Sequence, residues 1–160
     1  MSRWPATACL AVVFAILGPM TAAAAPPKKV NACALITASE LRHVLGSPVD
    51  RRRGATIANC AFRAGQFQPV VAVATTGGTR SYRNLVRAVG RPVKRLSGVG
   101  SEAVTYEHAY EDPTSHIRGV IVRKGTRVIH LSTTGIGLEP VGLASVQQLA
   151  ALARVATRRL

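Results

Sequence analysis

Acidic side chains are scarce in this chain: seven Asp and Glu stand against 21 Lys and Arg in 160 residues, a formal charge of +14. The one acidic stretch, Glu107, Glu111 and Asp112, is the sole place where paired carboxylates could run acid–base chemistry, and Tyr106 to Pro113 reads better as an exposed, solvated loop tip, with contact to a partner the next reading. Aromatic residues are scarce too, at 4 %. Past residue 25 they are Phe62, Phe67, Tyr82, Tyr106 and Tyr110, too few for the stacking platforms that hold single-stranded nucleic acid. With no recognisable nucleic-acid module either, specific nucleic-acid binding is not expected. There is no H-x-x-x-H or C-x-x-C spacing, so no metal and no cofactor are expected. A G-x-S-x-G nucleophile elbow is lacking, and Gly98-Val99-Gly100-Ser101 reads as a turn between strands rather than a phosphate loop. Finally, no apolar run reaches the roughly 20 residues that span a bilayer as a helix.

What is present begins with an export signal. Arg3 precedes the apolar run Ala8 to Leu17, and Gly18-Pro19 and the small-residue tract Ala22 to Ala25 follow it. A basic start, a short apolar core and an A-x-A-like end predict a signal peptide over residues 1–25, cleaved near Ala25. Residues 26–32 then form a short basic linker, and residues 33–160 one domain. The expected location is secreted, periplasmic or in the cell envelope.

Cleavage changes the meaning of the cysteines. Cys9 leaves with the signal, and the even pair Cys33 and Cys60 in an oxidising compartment predicts one disulfide. Two other fates are open: a lipid anchor on Cys33, or a reactive thiol at Cys60. Against the first, Val30-Asn31-Ala32-Cys33 is set off from the apolar run by Pro26-Pro27-Lys28-Lys29 and carries a polar Asn where a lipobox has a small or apolar residue.

The element pattern predicts an α+β fold in the order α-β-β-α-β-β-β-α, an antiparallel sheet of about five strands with helices packed on it. Thr37-Ala38-Ser39-Glu40 is a capping box opening the first helix, which Gly46 and Pro48 end. The basic run Asp50 to Gly54 reads as a turn, Thr56 to Arg63 as a strand, and Pro69 to Thr76 as a strand covered on both faces. Gly77-Gly78 breaks that strand before a second helix, capped by Thr79 or Ser81 and running to about Val89. Its inner face is Tyr82, Leu85, Val86 and Val89. Pro92 to Leu96 is extended and Glu102 to Glu107 a strand. His116 to Arg123 and Thr126 to Ser132 meet at a Lys124-Gly125 turn, which sets position 130 against Gly119 and position 116 against Thr133. Thr133 to Gly142 is an irregular connection, and a last helix spans about Leu143 to Arg159.

Several short motifs together resemble a known group: Cys33-Ala34-Leu35-Ile36-Thr37 with Glu40-Leu41 and Leu45-Gly46, Asn59-Cys60-Ala61-Phe62, Gly98 to Ala103, Val120 to Gly125, and the closing Leu- and Ala-rich helix. They are similar to small actinobacterial envelope lipoproteins of unassigned function and to the extracellular sensor domain of the mycobacterial serine/threonine kinase H. Phe62 stands where that group has Trp or Tyr, and Ser101 where it has Asp; the lipid-bearing cysteine is absent. The resemblance implies a disulfide, an α+β fold around an antiparallel sheet, and binding or sensing at the envelope. It brings no catalytic residues.

Arginine is therefore the main functional lead. Arg80, Arg83 and Arg87 share one side of the second helix, Arg91, Lys94 and Arg95 follow it, and Arg51, Arg52 and Arg53 form a second cluster. Guanidinium forks suit phosphates and carboxylates. The expected function is a non-catalytic binding module of the envelope whose basic surface contacts an anionic envelope component or an acidic protein, with peripheral membrane contact included. The alternative is a sensor-like pocket for a small ligand between sheet and helices, and a hydrolase is a distant third. The four histidines, His43, His108, His116 and His130, make no expected metal or nucleophilic set.

Overall fold

The computed structural model of the protein describes residues 30–64, 68–90, 93–109, 115–136 and 143–160, with the backbone alone at 51–56, 64, 68–71, 75–76, 109, 115 and 136. The elements are α1 (Ala32–Leu35), α2 (Ala38–Leu45), β1 (Val49–Thr56), β2 (Asn59–Ala64), β3 (Gln68–Thr76), α3 (Gly78–Ala88), β4 (Val93–Arg95), β5 (Glu102–Ala109), β6 (Ser115–Lys124), β7 (Arg127–Ile136) and α4 (Val146–Arg158). The α+β class and the antiparallel sheet are as expected, but the strands number seven, in the order β1-β2-β3-β7-β6-β5-β4. Two strands were hidden by their composition. Asp50 to Gly54, read as a turn because Asp, Arg and Gly are poor strand formers, belongs to β1, which pairs with β2 across the Ile57-Ala58 turn. The three-residue β4 is the other edge, held against Val104 to Tyr106 of β5.

The sheet is two meanders joined at one seam. β1-β2-β3 and β4-β5-β6-β7 each run between sequence neighbours, whereas β3 and β7 meet only in space, from Val70 opposite Thr133 to Thr76 opposite Arg127. Gly77 and Gly78 close the seam's end: their amides both donate to the Thr126 carbonyl, at 3.0 and 2.9 Å. Their φ values of 133° and 54° suit glycine, which explains the pair and makes Gly77, not Thr79 or Ser81, the N-cap of α3. The β6–β7 hairpin turns at Gly125-Thr126, one residue later than expected, so His130 pairs with Ile121 and His116 with Gly135. β7 also continues through Ile136, where an irregular connection was expected.

Helices cover both faces. α1, α2 and α4 pack over a core that includes Phe62, Val120, Val122, Ile129, Leu131, Leu149 and Leu152. α3 packs on the other face, where Tyr82, Leu85, Val86 and Val89 meet Val104, Tyr106, Ile121 and Val128. Each fully buried aliphatic side chain in these layers contributes about 1.5–3 kcal/mol. On β3, an interior strand, the α4 side buries Ala72 and Ala74, and Val73 between them is half-buried on the other side.

Short-range chemistry sets the helix ends. The Thr37–Glu40 capping box forms as read, and α4 opens with one that the sequence also spells, Ser145-Val146-Gln147-Gln148, starting three residues after the expected Leu143. Arg159, just past α4, ties the layer together: its guanidinium donates to both Glu40 carboxylate oxygens and, at 2.9 Å, to the Leu35 carbonyl. That grip above all, then the Thr37 amide and hydroxyl, holds the Glu40 carboxyl at about 2, against a burial effect of opposite sign. Cys33 of α1 and Cys60 of β2 form the disulfide, with Cα atoms 5.0 Å apart.

The bridge pins a four-residue helix too short to persist alone. Replacing both Cys33 and Cys60 by Ser is expected to lower unfolding stability by about 3 kcal/mol, the loop-closure value for a bridge between residues 27 apart, read as a lower denaturant midpoint.

Candidate functional site

The α3 face carries the arginine cluster. Three residues of an amphipathic helix point away from the sheet once Tyr82, Leu85 and Val86 point into it, and Arg80, Arg83 and Arg87 are accordingly exposed. None of them has an ion partner among the described residues. Arg95 of β4 lies on this same face, being paired in register with Val104, and its charge reaches Tyr82. Burial pushes the Tyr82 phenol up, Glu102 adds to that, and Arg123 and Arg95 pull it back. A shallow depression of about 380 Å³ between α3 and β4 is lined by Tyr82, Arg83, Val86, Arg87, Gly90 and Val93.

The sheet divides the remaining basic residues. Lys94 pairs with Thr105 and so faces the α4 side, opposite Arg95. Arg51, Arg52 and Arg53 occupy β1, six strand intervals from β4, roughly 29 Å along the sheet at about 4.8 Å per strand. The backbone of β1 is described, but its arginine side chains, and Arg91 altogether, lie outside the described residues.

On the α4 side a cleft of about 580 Å³ opens between β4, β5, β6 and the start of α4, lined by Lys94, Thr105, Tyr106, Glu107, Arg118, Ser145, Val146 and Gln147. Arg118 donates from Nε to Glu107 Oε1 at 2.6 Å. Glu107, read both as the end of a strand and as part of an exposed acidic loop, is an exposed strand residue engaged by Arg118; Glu111 and Asp112 lie outside the described residues.

The structure also makes a group that sequence reasoning missed. Tyr106, read both within the Glu102 to Glu107 strand and at the start of a loop, lies on β5, 2 % exposed beneath α3, with its hydroxyl 2.6 Å from His130 Nε2. The two are on strands separated by β6. Gly119, directly opposite Tyr106, supplies the gap: any Cβ there would enter the tyrosine ring. His108 completes the cluster, with its ring centroid 5.7 Å from that of Tyr106. Desolvation holds the His130 imidazole down at about 4. Neutral, it shares a hydrogen bond with the Tyr106 hydroxyl, and the pair joins β5 to β7 across β6. The usable signal was the lone glycine inside a β-rich run, which marks a close approach.

Two of the shifted groups, His130 and Glu40, make stability pH-dependent on the acid side. His130 takes up a proton near 6.5 when unfolded but only near 4 when folded, so stability falls as pH drops from about 6.5 to about 4, by about 3 kcal/mol. Glu40 stabilises above its ordinary 4.5 and loses that contribution as pH falls further, toward about 2. Denaturant midpoints across this range are expected to follow that course, and His130→Gln to flatten the part above pH 4.5 alone. Gly119→Ala is expected to cost about 1–3 kcal/mol by crowding Tyr106, seen as a lower Tm.

No protein-family model matches the chain, and no curated protein sequence matches it. A solved structure from Bacteroides thetaiotaomicron VPI-5482 is similar to it with a TM-score of 0.48 and 14 % identity, over 68 % of this chain and 40 % of that one. The chain thus spans well under half the length of that protein, a likeness too distant to carry a functional argument.

Proposed function

We propose that the protein is an exported, non-catalytic binding module of the cell envelope that contacts an anionic envelope component through the α3 face, with Arg80, Arg83, Arg87 and Arg95 as its contact residues. One observation carries the reading. All four carboxylates among the described residues are engaged by arginines of their own: Glu40 by Arg159, Asp50 by Arg63, Glu102 by Arg123 and Glu107 by Arg118. The α3 arginines are left exposed with no such partner among the described residues, and it is their charge that would meet an outside anion.

Export supports this reading. Removing residues 1–25 leaves 20 basic and seven acidic residues, +13, which would work among anionic lipids and polymers. The disulfide belongs to an oxidising compartment, and no helix among the described residues is long and apolar enough to cross a membrane. The resemblance to envelope proteins and a kinase sensor domain points the same way.

The test uses the chain from Pro26 onward and vesicles of phosphatidylglycerol or of phosphatidylcholine. Binding is expected to the anionic vesicles only and to weaken steeply with salt. Arg83→Ala with Arg87→Ala is expected to weaken it by about 2 kcal/mol, roughly thirtyfold. Salt-insensitive binding, or an undiminished double variant, would overturn the proposal.

A further inference from the structure

The cleft on the opposite face is independent of the α3 reading and has a chemistry of its own. Its cations differ in kind. Lys94 is exposed on a short edge strand and has no ion partner among the described residues; register with Thr105 turns it toward the cleft. Arg118 is half-buried in the floor. Its bond to Glu107 uses Nε, and its two terminal amino groups have no partner among the described residues. Beside it on the same face, directly opposite in register, Thr133 holds a buried hydroxyl that likewise lacks a partner among the described residues. Glu107 contributes the one acceptor charge, and Gln147 an amide at the wall.

Two cations and one carboxylate leave the cleft at net +1, with donors grouped at Lys94 and Arg118 and an acceptor beside them. We infer that this cleft binds a small polar molecule carrying one anionic group, a carboxylate or a phosphate, with a hydroxyl next to it: the anion would sit between Lys94 and the free amino groups of Arg118, and the hydroxyl would donate to Glu107. A simple anion would leave Glu107 without a new partner, and a neutral sugar would leave both cations without one. The volume of about 580 Å³ lies in the range of small-molecule sites. The arginine already oriented by Glu107 is partly preorganised, which reduces the ordering cost of binding.

The experiment titrates the Pro26-onward protein with gluconate and with glycerol 3-phosphate, followed by amide chemical shifts, with acetate and glucose as the comparison ligands. Saturable shifts confined to the residues lining the cleft are expected with gluconate, glycerol 3-phosphate or both. Which of the two binds more tightly distinguishes a carboxylate from a phosphate source. Acetate and glucose are expected to bind at least about tenfold more weakly. Lys94→Ala, at an exposed site that leaves the fold intact, is expected to weaken binding by about tenfold, and Arg118→Gln by at least as much. Arg83→Ala with Arg87→Ala is expected to leave it unchanged, which separates this site from the α3 face. The inference is overturned if neither gluconate nor glycerol 3-phosphate saturates, if Lys94→Ala binds as well as the parent, or if acetate or glucose binds equally.

Discussion

The pairing of β3 with β7 is the constraint on which the rest of the molecule depends. Without it there are two separate meanders, each with an open edge and half a core. With it, Ala72 and Ala74 lie beside Leu131 and Ile129 and a single floor runs under α1, α2 and α4. The pairing is long-range and entropically costly to close, and the local devices around it serve that closure. Gly77 and Gly78 anchor on the Thr126 carbonyl and so launch α3 from the seam's end onto the opposite face. The side of the sheet that α3 covers, and therefore where its arginines emerge, follows from that anchor.

Charge in this protein is organised by scarcity of its opposite. Four carboxylates among the described residues each meet an arginine, and one of these pairs, Arg159 with Glu40, joins the end of α4 to the start of α2. The exposed pairs contribute little to stability individually. Their consequence is distributional: once the described carboxylates are engaged, the cations of α3, Arg95 and Lys94 have no counter-charge among the described residues. The sheet then sorts them, sending Arg95 to one face and its neighbour Lys94 to the other by strand alternation alone.

Much of this was legible in the residues, and the failures have physical causes. The Thr37–Glu40 box, the inner face of α3 and the Cys33–Cys60 bridge were readable because each is written over a few positions or follows from counting. β1 was misread because its arginines resemble a solvated turn, and only its partner strand makes it a strand. The one-residue error in the β6–β7 turn came from Gly125, which both placements use with a positive φ of 58°; pairing further along the hairpin decides between them. Tyr106 admitted two readings, within the Glu102 to Glu107 strand or at the start of a solvated loop, because Glu107, His108, Glu111 and Asp112 follow it; the period of the strand, which turns alternate residues into the core, decides for the first.

By itself the sequence determined the α+β class, the antiparallel sheet, the Thr37–Glu40 cap and the basic excess, since each depends on local periodicity, nearby side chains or simple composition. Tertiary structure alone decided which strands are neighbours, that Lys94 parts from the α3 arginines, that Arg51 to Arg53 lie at the far edge of the sheet, and that Tyr106 reaches across Gly119 to His130. Those are distances between residues far apart in the chain. They are settled by the burial of a shared core, to which no local pattern has access.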